Sequence, residues 1–242
     1  MIPISRIDHR DRVRVARFVN GIGGTPIPGH IKIAMEGEPI RTLGAWVGNG
    51  VDQVEMWSRT LEKIDATLDQ WELGHPSMEG HRLIVMMVVG GMTQYLATVQ
   101  GMPADVEARL EKRVRSFLWA EKRGVAVNKE TVYAPAEMGG KNLLDIIARN
   151  EAITVTWLKT YLSLGPKRPL WCFVADEILA KGAVRTSLNV AEAMRLNSYL
   201  QSWLPYQSAE ELNSKDLAGM MAVGRKLQCL DAGHGSVPGD TG

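Results

Sequence analysis

The stretch DQVEMWSRTLEKIDATLDQW, residues 52–71, carries a strong periodic signal. Its apolar positions are spaced three and four residues apart, which is the pattern of an amphipathic helix with one buried stripe. The stripe consists of Val54, Trp57, Leu61, Ile64, Leu68 and Trp71. The sequence therefore predicts a helix here that packs against a helical core.

More helices are predicted on both sides of this stretch. Ser77 is a good N-cap for a helix from Met78 to about Val99, which is apolar nearly all round. Such a helix is typical of the buried centre of a bundle. The pair Gly90–Gly91 inside it indicates a close helix crossing or a kink. The other predicted helices cover residues 8–20, 104–120, 142–162, 170–180, 190–203 and 210–227.

A small β element is predicted near the N-terminus. Ile31–Ala34 and Pro39–Val47 are short apolar runs, and Glu36–Glu38 between them has the composition of a hairpin turn. Residues 21–29 are dense in Gly and Pro and predict a loop. The predicted fold class is mainly α, a helical bundle with a small N-terminal β-hairpin.

Composition excludes several classes of protein. The 242 residues are 45% hydrophobic and 23% charged, which is ordinary for a globular chain and excludes disorder of the whole. Lys and Arg total 28 against 27 for Asp and Glu, so this is not a polycation over its whole surface. Cys172 and Cys229 form neither a disulfide framework nor a zinc motif, and a nuclear or cytoplasmic location is expected. The apolar run Leu83–Val89 is too short to span a bilayer, so no membrane is expected.

Motifs that carry chemistry are missing from the sequence. It contains no Walker loop, no GxSxG elbow and no HExxH, and its histidines lack metal-ligand spacing. The acid pairs Asp176–Glu177 and Glu210–Glu211 are adjacent in sequence. Neighbouring residues on a helix point about 100° apart, so neither pair forms a metal cage by itself. No catalytic residue, metal ligand, cofactor or small-molecule substrate is predicted.

The positive signal is electrostatic. Residues 112–129 carry six cations against the single carboxylate of Glu121, and Arg109 precedes them. A basic helix face that runs into a basic loop suits contacts with phosphates, but a solvated face of an ordinary bundle has the same composition. The arginines at 6, 10, 12, 14 and 17 allow the same two interpretations. The candidate nucleic-acid-binding residues are Arg109, Lys112, Arg113, Arg115, Lys122, Arg123 and Lys129.

A series of short phrases resembles one protein family. The phrases are RTLGAW at 41–46, LDQW at 68–71, MEGHRLI at 78–84, SFLW at 116–119 and MGGKNLLD at 138–145. In this order they resemble the part of a LINE-type, non-LTR retrotransposon reverse transcriptase that follows the catalytic palm, particularly in fungal genomes. The resemblance is fairly specific over residues 40–160 and looser elsewhere.

The resemblance implies roles for particular positions. Leu43 and Gly44 match the phrase of the hairpin that grips the primer strand, although Thr42 replaces the usual aromatic residue. Residues 80–82 match the turn of the thumb, Phe117 and Trp119 match its later helix, and residues 139–145 match the turn after it. Because the family's thumb packs along a primer–template duplex, the basic residues become candidates for contact with a duplex or an RNA–DNA hybrid.

The resemblance also implies a division of the chain. Residues 1–50 would be a remnant of the palm with a primer-grip-like hairpin, and 51–135 a thumb-like bundle. Residues 136–230 would be a C-terminal helical region and 231–242 a disordered tail. The catalytic aspartates would lie before Met1, so a truncated gene, or a separate palm-bearing polypeptide as partner, is expected.

Two functions remain open from the sequence. One is a non-catalytic reverse transcriptase fragment that binds primer–template nucleic acid weakly and without regard to sequence. Since two-metal nucleotidyl transfer needs clustered carboxylates, no polymerase activity is expected of this chain alone. The alternative is a helical protein-interaction module, docking through a partly exposed 54–71 stripe, or a non-functional pseudogene product.

Overall fold

The computed structural model describes residues 7–19, 24–119, 127–181, 197, 199 and 214–227. This part is mainly helical with small antiparallel sheets near the N-terminus, which confirms the predicted fold class. The chain forms two compact units, Met1–Ile146 and Ile147–Gly242. The four-part division stays a prediction. The tail at 231–242 and nearly all of the helix predicted at 190–203 lie outside the described residues.

Helices make up most of the described elements. The helices are α1 (Ile7–Ala16), α2 (Gln53–Glu72), α3 (Met78–Val85), α4 (Gly91–Gln100), α5 (Ala104–Trp119), α6 (Lys129–Tyr133), α7 (Ile146–Leu162), α8 (Leu170–Lys181) and α9 (Lys215–Lys226). A π-helical turn, Met86–Gly90, joins α3 to α4, and a 3-10 turn covers Ala136–Met138. The strands are β1 (Phe18–Val19), β2 (Thr25–Pro26), β3 (Ile40–Thr42) and β4 (Ala45–Val47).

Helix α2 begins and packs as its sequence predicts. The Asp52 side chain accepts a hydrogen bond from the Val54 backbone N–H at 2.8 Å, which satisfies a donor at the helix start. The four central stripe residues, Trp57, Leu61, Ile64 and Leu68, are buried, while Val54 and Trp71 at the ends stay exposed. The expectation that this stripe offers a docking face is therefore wrong for its centre, which belongs to the core.

The hairpin lies at a different place from the predicted one. Ile31–Ala34 forms no strand, and the single strand predicted over 39–47 is itself the hairpin, in which β3 pairs with β4. Leu43 and Gly44 form its two-residue turn with φ of 50° and 90°. Positive φ at both turn positions matches the twist of the strands, and glycine adopts it without steric cost. The prediction placed the hairpin turn at residues 36–38 because of their turn-forming composition, but the turn of the hairpin is at residues 43–44.

The long helix from Met78 is buried on one side only. Ser77 caps it by accepting a hydrogen bond from the Gly80 backbone N–H at 3.2 Å. One side, which includes Val85, Val88 and Val89, is buried, but the opposite side is open to solvent. The prediction that this helix lies at the centre of a bundle is therefore wrong. A helix can be apolar on every side and still have other elements packed against only one of them. The expected irregularity near Gly90 is present as the π turn.

The second unit has its own core around Tyr161. Helices α7, α8 and α9 contribute Leu158, Cys172, Leu179 and Met221, which lie within one buried cluster. Burial raises the pKa of the Cys172 thiol above its usual value. The helix predicted at 210–227 is present as the shorter α9.

A buried ion pair crosses this core. The Arg168 guanidinium donates to both carboxylate oxygens of Asp176, at 2.6 and 3.0 Å, and the Tyr161 hydroxyl donates to the same carboxylate at 2.9 Å. Hydrogen bonds to the charged carboxylate raise the pKa of Arg168. The acid pair Asp176–Glu177 is thereby explained in part, because Asp176 links α8 to the preceding loop and to α7.

Candidate nucleic-acid interface

Helix α5 separates its apolar side from its charged side. Pro103 precedes its first residue, and Val106, Leu110, Val114, Phe117 and Leu118 are all buried. Lys112 and Arg115 lie on the exposed side. Neither forms an ion pair with any residue in the described ranges, so both side chains present their charge to solvent.

The neighbouring cations of α5 instead meet an acidic side of α2. Arg109 Nη2 lies 2.8 Å from Asp65 Oδ2. The Arg113 guanidinium contacts three carboxylates, those of Asp65, Asp69 and Glu72, at 3.4, 2.5 and 3.3 Å. The Arg113 side chain is only 17% exposed. The sequence predicts that Arg113 belongs to the outward cations, but in the structure Arg113 pairs with the carboxylates of α2 and holds α5 against that helix.

Lys129 is also engaged within the protein. Its Nζ lies 2.7 Å from Glu111 Oε2, so an ion pair ties the start of α6 to α5. Burial first, and then the Glu111 carboxylate, raise the pKa of Tyr133 to about 12. The residues around this pair line a small open cavity between α5 and α6 that includes Trp119 and Arg115.

The two remaining predicted cations, Lys122 and Arg123, lie outside the described residues. Among the described candidates, Lys112 and Arg115 form the outward pair, which we call the α5 basic pair. Arg109 is half exposed and shares its charge with Asp65. The basic surface is therefore smaller than the sequence predicts. Carboxylates of the same protein pair with Arg109, Arg113 and Lys129 and offset their positive charge.

Leu43 and Gly44 occupy the tip of the β3–β4 hairpin. The Tyr95 hydroxyl donates a hydrogen bond to the Leu43 carbonyl, and a Cβ added at Gly44 would lie 3.2 Å from the Tyr95 ring. The Trp46 backbone N–H donates to Gln100 Oε1 at 3.0 Å. These contacts hold the hairpin against α4, and the Leu43 side chain projects into solvent with 90% of its surface exposed.

The other positions singled out by the resemblance have structural contacts. The His81 ring meets the Phe117 ring edge-on with centroids 4.7 Å apart, so α3 packs on α5. Arg82 donates to the Glu79 carboxylate one turn away. A Cβ at Gly140 would lie 1.9 Å from the Ala134 carbonyl oxygen, so only glycine fits in this turn.

The arginine row of α1 mostly binds the protein itself. Arg10 Nη2 lies 2.9 Å from the Glu36 carboxylate, and Arg14 approaches the same residue at 3.8 Å. Arg17 donates to the backbone carbonyls of Pro28 and Ile31 at 2.8 and 2.7 Å. These cations hold the 28–38 loop onto α1. Neither a solvated face nor a phosphate-binding face describes Arg10, Arg14 and Arg17. Arg12 is exposed, and Arg6 lies outside the described residues.

Two further findings concern metals and membranes. Within the residues that the structure describes, no three His, Cys, Asp or Glu side chains gather where they could hold a metal ion. The helical stretch Met78–Gln100 has 23 residues, and an 18-residue window within it reaches a mean hydropathy of 1.4, so it has the length and composition to cross a membrane. The apolar run Leu83–Val89, on which the prediction of no membrane rests, is only a part of this stretch. Core helices of soluble proteins pass the same test, so this observation assigns no membrane.

The exposed side of this stretch is the feature that sequence reasoning missed. Leu83, Met86, Met87, Tyr95 and Val99 are each between 45% and 59% exposed. The signal that could have found it is the run from 83 to 104, which contains no charged residue.

No family model, curated protein or solved structure matches this chain.

Proposed function

We propose that this chain binds double-stranded nucleic acid or an RNA–DNA hybrid without regard to sequence, as a non-catalytic, reverse transcriptase-like protein. The observation that carries the proposal is the α5 basic pair, Lys112 and Arg115, exposed on a helix whose other side is anchored in the core. Lys122 and Arg123, which follow in the sequence, lie outside the described residues. The quoted phrases, and a hairpin whose tip is Leu43–Gly44, support the family assignment.

The physical basis is phosphate neutralisation. Each phosphate contact by Lys or Arg releases counterions, so the logarithm of the binding constant falls linearly with the logarithm of salt concentration, by about 0.9 per contact. The two contacts available to the α5 basic pair predict a shallow slope and weak binding. Base preference is not expected, because phosphate contacts carry no sequence information.

The test is the salt dependence of duplex binding by the variant Lys112→Gln/Arg115→Gln. We expect the slope to fall by about 2, since two phosphate contacts are lost. The matched control is Arg59→Gln/Lys63→Gln, which removes two exposed cations from α2 and the same net charge. An unchanged slope in the first variant, or an equal change in both, contradicts the proposed surface.

We also propose that this chain by itself does not catalyse nucleotidyl transfer. Two-metal transfer needs carboxylates that hold both ions. A primer-extension assay with template, nucleotides and Mg²⁺ tests this directly. Clear synthesis by the purified chain would refute it.

The second candidate function is a helical protein-interaction module. The observation that favours it is the exposed apolar side of the Met78–Gln100 stretch, and not the 54–71 stripe that the sequence indicated. Large exposed apolar patches on monomers mark interaction sites. Its test is the association state of the purified chain without nucleic acid.

A further inference from the structure

We propose that a second copy of this chain docks, antiparallel and two-fold symmetric, on a ridge formed by Leu83, Met87, Gly91, Tyr95 and Val99, which we call the apolar ridge. The inference rests on the second candidate function and names its partner. It does not depend on nucleic-acid binding. Four observations carry it: the alignment of the ridge, its symmetry, its lack of charge and its extent.

The π turn aligns the ridge. In an α-helix each four-residue step overshoots a full turn by about 40°, so Val99 would lie about 160° around the axis from Leu83. A π turn accommodates one extra residue and takes back about 100° of this drift. The turn at Met86–Gly90 therefore keeps all five positions on one side, and all five are exposed.

The ridge is symmetric about its central glycine. Two apolar side chains precede Gly91 at four-residue spacing, and two follow it at the same spacing. A two-fold axis through Gly91 would place Leu83 opposite Val99 of the other copy, and Met87 opposite its Tyr95. A Cβ added at Gly91 would meet nothing within 4 Å, so the crossing point is open for a close approach.

Charge favours a copy of this chain in the antiparallel direction. No charged residue occurs between Arg82 and Asp105, so the ridge offers nothing to the phosphates of a nucleic acid. In an antiparallel pair, Glu79 and Arg82 of one copy face the uncharged 100–103 segment of the other. A parallel pair would place the Glu79–Arg82 ion pair of one copy beside the same ion pair of the other, whereas the antiparallel pair keeps the two ion pairs apart.

The extent of the exposed surface is the fourth observation. With Met86, Met92 and the Leu43 side chain at the hairpin tip, seven large apolar residues are each at least 39% exposed. A standard-size interface needs about 800 Å² from each partner, and a surface of this many large apolar side chains is of the kind that supplies it. Methionine and leucine repack readily against one another, which suits a self-complementary surface.

The test is sedimentation of the purified chain without nucleic acid, at concentrations up to about 100 µM, where a standard-size interface should associate. We expect a reversible dimer. Leu83→Glu alone and Val99→Lys alone should each weaken it by about tenfold or more, because each buries an unpaired charge. The double variant should restore it, since the carboxylate introduced at position 83 of each copy would then face the ammonium group introduced at position 99 of the other.

The matched control is Leu164→Glu, because Leu164 is 54% exposed and Leu83 is 52% exposed. Leu164→Glu should leave the dimer unchanged, and circular dichroism should find every variant folded. A monomer at all concentrations overturns the proposal. If the dimer dissociates in each single variant and the double variant does not restore it, the antiparallel arrangement is wrong. Binding of a different purified protein to a monomeric chain would overturn the second copy as occupant but leave the interaction-module function standing.

Discussion

At the scale of the residue, space and backbone geometry give similar residues opposite roles. Gly140 is pressed against the Ala134 carbonyl, whereas Gly91 has helical dihedral angles and open space around its Cα. Both lie in glycine pairs that look alike in the sequence. Burial and the Glu111 carboxylate disfavour the charged form of Tyr133 and raise its pKa to about 12.

We predict that the two glycines respond oppositely to alanine. Gly140→Ala should lower the free energy of unfolding by about 2–4 kcal/mol, because the methyl group has no space. Gly91→Ala should raise the stability of the monomer by up to about 1 kcal/mol, since alanine favours the helix. It should also weaken the proposed dimer by adding a methyl group at the crossing. Urea unfolding and sedimentation measure the two effects, and a dimer unaffected by Gly91→Ala would contradict the crossing point.

Tyr133 predicts a pH dependence at high pH. Its pKa rises from 10.0 to about 12 in the folded protein, so its neutral form favours folding. This contribution is fully present below pH 10 and is lost as pH rises from about 10 to 12. Absorbance of tyrosinate during titration of the folded protein should contain a late component that Tyr133→Phe removes. A component that persists in Tyr133→Phe would assign it to another tyrosine.

At the scale of the element, α2 and α5 form a pair held by apolar and ionic contacts. Trp57, Leu61 and Ile64 bury the apolar side of α2, and the Arg113 guanidinium sits beside three of its carboxylates. Isolated surface ion pairs contribute little, but a shielded arginine in a network contributes more. Helix α5 therefore carries two kinds of cation. Arg113 joins α5 to α2, whereas Lys112 and Arg115 are exposed to solvent.

We predict that these two purposes separate by mutation. Arg113→Gln should lower the free energy of unfolding by about 1–2 kcal/mol, because Asp69 and Glu72 lose their cation and Asp65 keeps only Arg109. Lys112→Gln should change it by less than about 0.5 kcal/mol, as exposed substitutions do. Urea unfolding of both variants checks this. Equal effects would mean that Arg113 has no special part in joining α2 to α5.

At the scale of the whole molecule, each of the two units carries a core of its own. The core of Met1–Ile146 contains the α2–α5 pair, and that of Ile147–Gly242 surrounds Tyr161. The Arg168–Asp176 ion pair belongs to the second unit, where both side chains are only 7% exposed. Removing one partner of such a pair leaves the other charge buried and uncompensated.

Asp176→Asn should therefore destabilise the second unit by about 3–5 kcal/mol. Hydrogen exchange read separately for each unit measures this. We expect faster exchange in the amides of α7, α8 and α9. If α2 and α5 lost protection to the same extent, the unit boundary at Ile146 would not be an energetic one.

The helical class, the α2 stripe and the cap at Ser77 follow from the sequence, because periodicity and capping depend on groups within about four residues of each other. Two features do not follow from the sequence: which side of the Met78–Gln100 stretch is buried, and which carboxylates pair with Arg113. They depend on which elements come together, and those contacts join residues about forty positions apart. A helix that is apolar all round contains no preference for either side. Only its tertiary neighbours decide which side is core and which remains exposed as the apolar ridge.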